Sequence, residues 1–142
     1  FAHHIPTLGI CFGHQFIAHM FGGTIDSLWN DEKKKGARPV KLNSHSILEE
    51  SAEGYLVYSH RESITICPSD FDISISSYMV KIDGITHRSK PIWGVQPHIE
   101  ATDAFAKRSG VSKKRFQPAF LFGTQILDRF LGKLKDAPFE KN

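Results

Sequence analysis

The chain has 142 residues, 40% of them hydrophobic and 23% charged, with a formal net charge of +3. That length supports one domain around one buried core, and the composition excludes a disordered chain or a fibre. The mild positive charge reads as a solvated surface and gives no basis for nucleic-acid binding; no apolar run approaches the ~20 residues of a membrane span, and no secretory signal pattern is visible.

In chain order, Thr7–Ile10 is a short apolar run after Pro6 that reads as a buried strand entering a sharp turn. Phe16–Phe21 continues as a helix, which Gly22-Gly23 ends. Thr24–Leu28 reads as extended, and the lysine-rich segment Asn30–Gly36 as an exposed loop. Strands are predicted over Arg38–Leu42, Gly54–Ser59, Ser63–Cys67 and Ile73–Ser77 from their two-residue period. Tyr78–Ile82 runs into Asp83-Gly84, a hairpin-turn signal, so an antiparallel patch is expected near Tyr78–His87. Ile92–Gln96 reads as a central strand. Ala101–Pro118 is mixed and basic, a loop or short helix, and Gly123–Lys135 carries apolar residues at helical spacing. Strand–turn–helix–strand at the start is the grammar of an α/β sheet, mainly parallel and flanked by helices.

Of the two cysteines, Cys67 ends a strand before Pro68 and reads as a small buried thiol. Cys11 lies in Gly9-Ile10-Cys11-Phe12-Gly13-His14-Gln15. This has the form of a nucleophile elbow, a tight strand-to-helix turn with small flanking residues. Such a turn delivers the thiol to a helix N-terminus, which favours an anion, and the thiolate is the reacting form. The amide of Phe12 then points where an oxyanion would develop. A second segment, Gly94-Val95-Gln96-Pro97-His98-Ile99-Glu100, ends a strand with His98 and Glu100 two residues apart. Alternation could put both on one side, so that Glu100 orients one imidazole nitrogen and the other faces a thiol. Taken singly, each segment also has a bland reading: a glycine-rich turn that happens to hold a cysteine, and a half-buried histidine.

Together the two segments resemble the signature pair of class I glutamine amidotransferases, a GxCxGxQ elbow and a later GxQxHxE strand end. Phe21-Gly22-Gly23-Thr24-Ile25 looks like the family's helix-to-strand junction, and Ser59-His60-Arg61-Glu62 like the S-H-x-D loop of GMP-synthase amidotransferase domains. The resemblance implies a flavodoxin-like three-layer fold and a cytoplasmic enzyme that needs no cofactor. It implies that Cys11 attacks the side-chain amide of glutamine to give a γ-glutamyl thioester. His98 would relay the proton and Glu100 would orient it. The Phe12 amide would supply one oxyanion donor, and Gln15, Ser59, His60, Arg61 and Glu62 would bind the amino-acid end. Ammonia would pass to a synthase partner. Where the family usually reads G-V-Q-F-H-P-E, this chain has Pro97 before the histidine and Ile99 after it. The family also has a strand and a glycine-rich loop upstream of the elbow, whereas ten residues precede Cys11 here. The expectation is therefore one domain, 1–142, incomplete at its N-terminus and short of its first strands.

Two other readings fit the same residues: a γ-glutamyl peptidase-type cysteine hydrolase, and a truncated, non-catalytic binding subunit. His3, His4, His14 and His19 lack the spacing of a metal site, so no metal is expected. Lys33-Lys34-Lys35 and Lys113-Lys114-Arg115 read as short solvated runs.

Overall fold

In the computed structural model of the chain the described residues are 4–137. The elements are β1 (Thr7–Ile10), α1 (Phe12–Met20), β2 (Thr24–Ser27), β3 (Lys34–Leu42), β4 (Ala52–His60), β5 (Glu62–Ile66), β6 (Phe71–Ser77), β7 (Gly84–His87), β8 (Ile92–Val95), α2 (Asp103–Arg108) and α3 (Lys113–Asp136). Six strands form one sheet in the order β1-β8-β7-β6-β3-β4, and β2 and β5 form a separate antiparallel pair. Alternate residues of β8 feed the two faces: Trp93 and Val95 pack in the cluster that contains Phe122 and Ile126 of α3, and Ile92 in the one that contains Ile17 and Ala18 of α1. The result is helix, sheet, helix, the expected α/β class.

The proportion of parallel pairing is corrected. Among the described residues only β1 and β8 pair in parallel; β8–β7, β7–β6, β6–β3 and β3–β4 are antiparallel. Consecutive strands joined by short connections, as in β3–β4, β6–β7 and β7–β8, pair antiparallel, β6 returns antiparallel to β3 after β4 and β5, and β1 reaches β8 through most of the chain. The Asp83-Gly84 turn is corrected too. The turn lies at Ser77–Val80, closed by the Ser77 amide on the Val80 carbonyl at 2.9 Å. Asp83 instead extends the sheet, donating to the Ile75 carbonyl at 2.9 Å and accepting from the Gln96 amide at 2.8 Å. Asp83 is fully buried, with Arg38 and Tyr58 as partners for its carboxylate.

The lysine-rich stretch expected as a loop supplies the start of β3, because the ladder to β4 runs on to Lys34↔His60. Helix α3 is much longer than its pattern suggested and includes Pro118. Ser112 caps its first turn by accepting from the Arg115 amide at 3.3 Å. Ala119, Phe122, Gly123 and Ile126 form its buried stripe, so tertiary burial outweighs the weak local propensity. A Cβ on Gly123 would meet the Ile99 carbonyl at 2.8 Å, so this glycine lets α3 press against the segment that carries His98. Helix α1 ends as expected: the Gly22 and Gly23 amides bond the His19 and Ala18 carbonyls, with Gly22 at φ 91°. Cys67 is half-buried, its thiol directed at the Phe71 carbonyl. Among the described residues no helix is long and apolar enough to cross a membrane.

The two glycines that flank Cys11 differ. A Cβ on Gly9 would lie 2.5 Å from the Gly13 backbone and 2.6 Å from Ile17 Cδ1, whereas one on Gly13 would meet nothing within 4 Å. Close approach thus demands glycine on the strand side only. Gly9→Ala should lose about 1–3 kcal/mol from overpacking, while Gly13→Ala, at a helical position, should stay within about 1 kcal/mol and on the stabilising side. Urea unfolding of both variants checks this; equal losses at the two positions would refute the asymmetry.

Candidate active site

Cys11 stands between β1 and α1 at φ 53°, ψ −102°, a conformation that L-residues rarely adopt. Such a residue stores about 1–3 kcal/mol and persists only where its surroundings hold it. Here its amide donates to the Val95 carbonyl at 2.8 Å, and its carbonyl accepts from the Gln15 amide at 3.1 Å. The elbow is therefore fastened to the last residue of β8, the strand that leads to His98. Phe12 opens α1, where first-turn amides have no intrahelical acceptor and can serve a ligand. Its ring is exposed and stacks on Phe16.

After β8 the chain turns tightly. The His98 amide bonds the Val57 carbonyl at 2.8 Å, Ile99 bonds back to Pro97, and Ala101 to His98. This turn, not strand alternation, brings His98 Nδ1 within 2.7 Å of Glu100 Oε1. Pro97 is buried and leaves the histidine facing Cys11. The Cys11 side chain and then the Glu100 carboxylate raise His98 from an ordinary 6.5 to about 9, against the opposing effect of burial. Burial acts to raise the Glu100 carboxyl, but its hydrogen bonds and the charge of His98 hold it below its usual range. With Glu100 on Nδ1, the other ring nitrogen of His98 is left for chemistry.

The other residues singled out from sequence surround this pair. The Cys11 thiol points at the Ser59 carbonyl, 3.8 Å away. Gln15 Nε2 donates to the Glu62 carbonyl at 2.8 Å. Ser59–Glu62 is the point where the chain leaves β4 of the large sheet for β5 of the small one. The side chains of Arg61 and Glu62 are exposed. His60 is turned inward: its ring is buried, with Nδ1 on the Glu62 carbonyl and Nε2 facing Arg38.

Two further residues near the site had no catalytic or binding role assigned from sequence. Gln96 is fully buried; its Nε2 donates to Cys11 Sγ at 3.5 Å and its Oε1 accepts from Gln15 at 3.1 Å. It was visible as the glutamine of the GxQxHxE pattern, but its contact with the thiol depends on the fold. His14 is fully buried against Gly94, where a Cβ would come within 2.6 Å of its Nδ1. Burial pushes it down to about 3, partly offset by the Gly94 backbone, so it is a neutral packing element beneath the elbow. His4 and His19 are exposed, and His3 lies outside the described residues. Among the described residues no cluster of three His, Cys, Asp or Glu is placed to hold a metal ion.

The family model for class I glutamine amidotransferases matches residues 1–115. The glutamine-hydrolysing GMP synthase subunit of Methanopyrus kandleri is 33% identical over 99 residues, covering 68% of this chain and 52% of the relative. That of Methanothrix thermoacetophila is 36% identical over 100 residues, covering 68% and 53%. The chain thus spans about half the length of the curated relatives it matches. Among solved structures, a Thermoplasma acidophilum protein assigned as a GMP synthase subunit superposes with a TM-score of 0.73 at 27% identity, covering 94% of this chain and 59% of that one. A glutamine amidotransferase of Methylobacillus flagellatus shares the fold at a TM-score of 0.76 and 14% identity, covering 96% and 65%. With an elbow cysteine fastened to the strand that delivers a carboxylate-bound histidine, and a family model matching most of its length, this chain belongs to the class I glutamine amidotransferases.

Proposed function

We propose that the chain hydrolyses the side-chain amide of glutamine, with Cys11 as nucleophile, His98 as general base and acid, and Glu100 as its orienting group. The observation that carries this reading is the 2.7 Å bond from His98 Nδ1 to Glu100, made by a histidine that faces an elbow cysteine. Cys11 Sγ forms a bond to the amide carbon as its proton passes to His98. The tetrahedral oxyanion is met by the Phe12 amide. His98 returns the proton to the leaving nitrogen, and ammonia departs from a γ-glutamyl thioester. Water then attacks the thioester carbon, giving its proton to His98, and glutamate leaves as the thiol is restored. Gln15 and the Ser59–Glu62 crossover receive the amino-acid end. Relatives named as glutamine-hydrolysing GMP synthase subunits support delivery of the ammonia to a synthase partner.

Three experiments test this reading. A diazo-ketone analogue of glutamine should label Cys11 and spare Cys67, whose thiol burial pushes up and so makes less reactive. Labelling of Cys67 alone, or of both equally, would sink the assignment.

In a glutaminase assay, His98→Ala should lower kcat by about 10²–10⁴-fold, with a smaller loss for Glu100→Ala. A preference for γ-glutamyl dipeptides over glutamine would make the chain a peptidase-type hydrolase instead.

The third test is linkage. Because His98 is raised from 6.5 to about 9, its stabilising contribution is fully present below 6.5 and is lost as pH rises through about 9. The stability gap between the unaltered chain and His98→Ala, read from urea midpoints, should therefore be widest in mild acid and close by the alkaline end of that window. A gap independent of pH would rule out the Cys11–His98–Glu100 interaction.

A further inference from the structure

Behind the crossover that carries Ser59 and Glu62 lies a buried polar cluster that no catalytic step uses. Arg38, on β3, is 4% exposed. Its guanidinium sits 3.9 Å over the Tyr58 ring, 3.6 Å from Asp83 Oδ2 and 3.3 Å from His60 Nε2. Tyr58 donates to the same Asp83 oxygen at 3.3 Å. Replacing a buried ion pair by apolar residues is often neutral or stabilising, so stability by itself does not account for this one.

The chemistry of the contacts fixes a proton. An arginine guanidinium has donors and no acceptor and keeps its charge. The ring nitrogen that faces it must therefore accept, which leaves Nε2 bare and places the proton on Nδ1. That Nδ1–H is 2.8 Å from the Glu62 carbonyl, which it meets as a donor. The same carbonyl accepts from Gln15 Nε2 at 2.8 Å. Gln15 gives its other N–H to Gln96 Oε1, so the oxygen of its amide is what it can offer a ligand. With the opposite tautomer, Nδ1 and the Glu62 oxygen would be two acceptors 2.8 Å apart, and their repulsion would drive the crossover away from Gln15.

We propose that Arg38 is a positioning residue for recognition of the substrate's amino-acid end: it fixes His60 in the Nδ1–H tautomer, and His60 holds the Glu62 carbonyl where Gln15 meets it. The proposal deepens the amidotransferase reading and, in its recognition half, rests on it. Asp83 completes the arrangement, since it anchors the guanidinium through its side chain and Gln96 through its backbone carbonyl. Both groups that orient Gln15 thus trace back to the Arg38–Asp83 pair.

The test combines imidazole ¹⁵N NMR with two alkylating reagents, on the full chain and on the double variant Arg38→Met with Asp83→Asn. The double variant removes both charges, because Arg38→Met by itself would strand Asp83 buried and unpaired. At neutral pH the unaltered chain should show His60 in the Nδ1–H form, and the double variant should populate the Nε2–H form. A chloroketone analogue of glutamine should modify Cys11 on the order of tenfold to a hundredfold more slowly in the double variant, the scale of loss that misplaced binding groups produce. Iodoacetamide, which needs no recognition, should react at an unchanged rate. An Nε2–H or protonated His60 in the unaltered chain overturns the proposal even if the variant does not fold. So does a folded double variant with unchanged tautomer and unchanged chloroketone rate. Equal slowing with both reagents reduces Arg38 to a structural role and overturns it as well. If Cys11 of the unaltered chain has no preference for the glutamine chloroketone over one without the amino-acid group, the amidotransferase reading fails and recognition with it. The tautomer then decides separately whether Arg38 governs His60.

Discussion

The parallel pairing of β1 with β8 is the constraint on which the site depends. Its register sets Ile10 beside Val95, so the two strands end together, and the segments beyond them emerge at the same edge. The Cys11 amide closes the ladder on the Val95 carbonyl. One strand end thus delivers the thiol, and the other delivers Gln96 and His98. Open α/β sheets place their ligand sites beyond the carboxyl ends of their strands for this reason. The ladder also holds Cys11 in a backbone conformation that an unpaired turn would relax. Without β8 beside β1, the elbow would have neither its geometry nor its histidine.

Packing on both faces keeps that pair in place. Ile17 and Ala18 bring α1 down on one side, and the absence of a side chain at Gly9 lets helix and strand approach closely. On the other side Phe122 and Ile126 of α3 pack in the cluster that holds Val95 and Ile99. The His98 turn is thereby pinned between the sheet edge, through Val57, and a long helix. The crossover from β4 to β5 closes the third side, with the Ser59 carbonyl toward the thiol.

The interior is not uniformly apolar. His14, Arg38, His60, Asp83 and Gln96 are all buried, and Gln96 reaches the Cys11 thiol itself. Burial pushes His14 and His60 down and Asp83 up, each toward its neutral form, while Arg38 keeps its charge. A low dielectric strengthens every hydrogen bond such groups make and raises the cost of each one missed. That steepness favours one arrangement of the crossover and of Gln15 over its neighbours, at some expense of desolvation.

The candidate site was legible in the sequence because its residues sit in two short, contiguous segments. Gly9 to Gln15 writes out a turn, and Gly94 to Glu100 writes out a strand end with a histidine and an acid. The helix stop at Gly22-Gly23 was equally local. What tertiary structure decided was everything that needed residues distant in the chain. Asp83-Gly84 has the composition of a turn, yet Arg38 and Tyr58, from β3 and β4, make Asp83 a buried member of the sheet. Ala101–Pro118 read as a loop or short helix and the closing helix as Gly123–Lys135, yet the stripe from Ala119 to Ile126 had a sheet to cover and the helix begins at Lys113. The parallel character of the sheet was overstated, since one parallel pair suffices to build the site and the short connections of β3–β4, β6–β7 and β7–β8 make those pairings antiparallel. Local sequence fixes backbone geometry and residue type. Which carbonyl a thiol faces, and which way a buried histidine turns, is settled by partners that only folding brings within hydrogen-bonding distance.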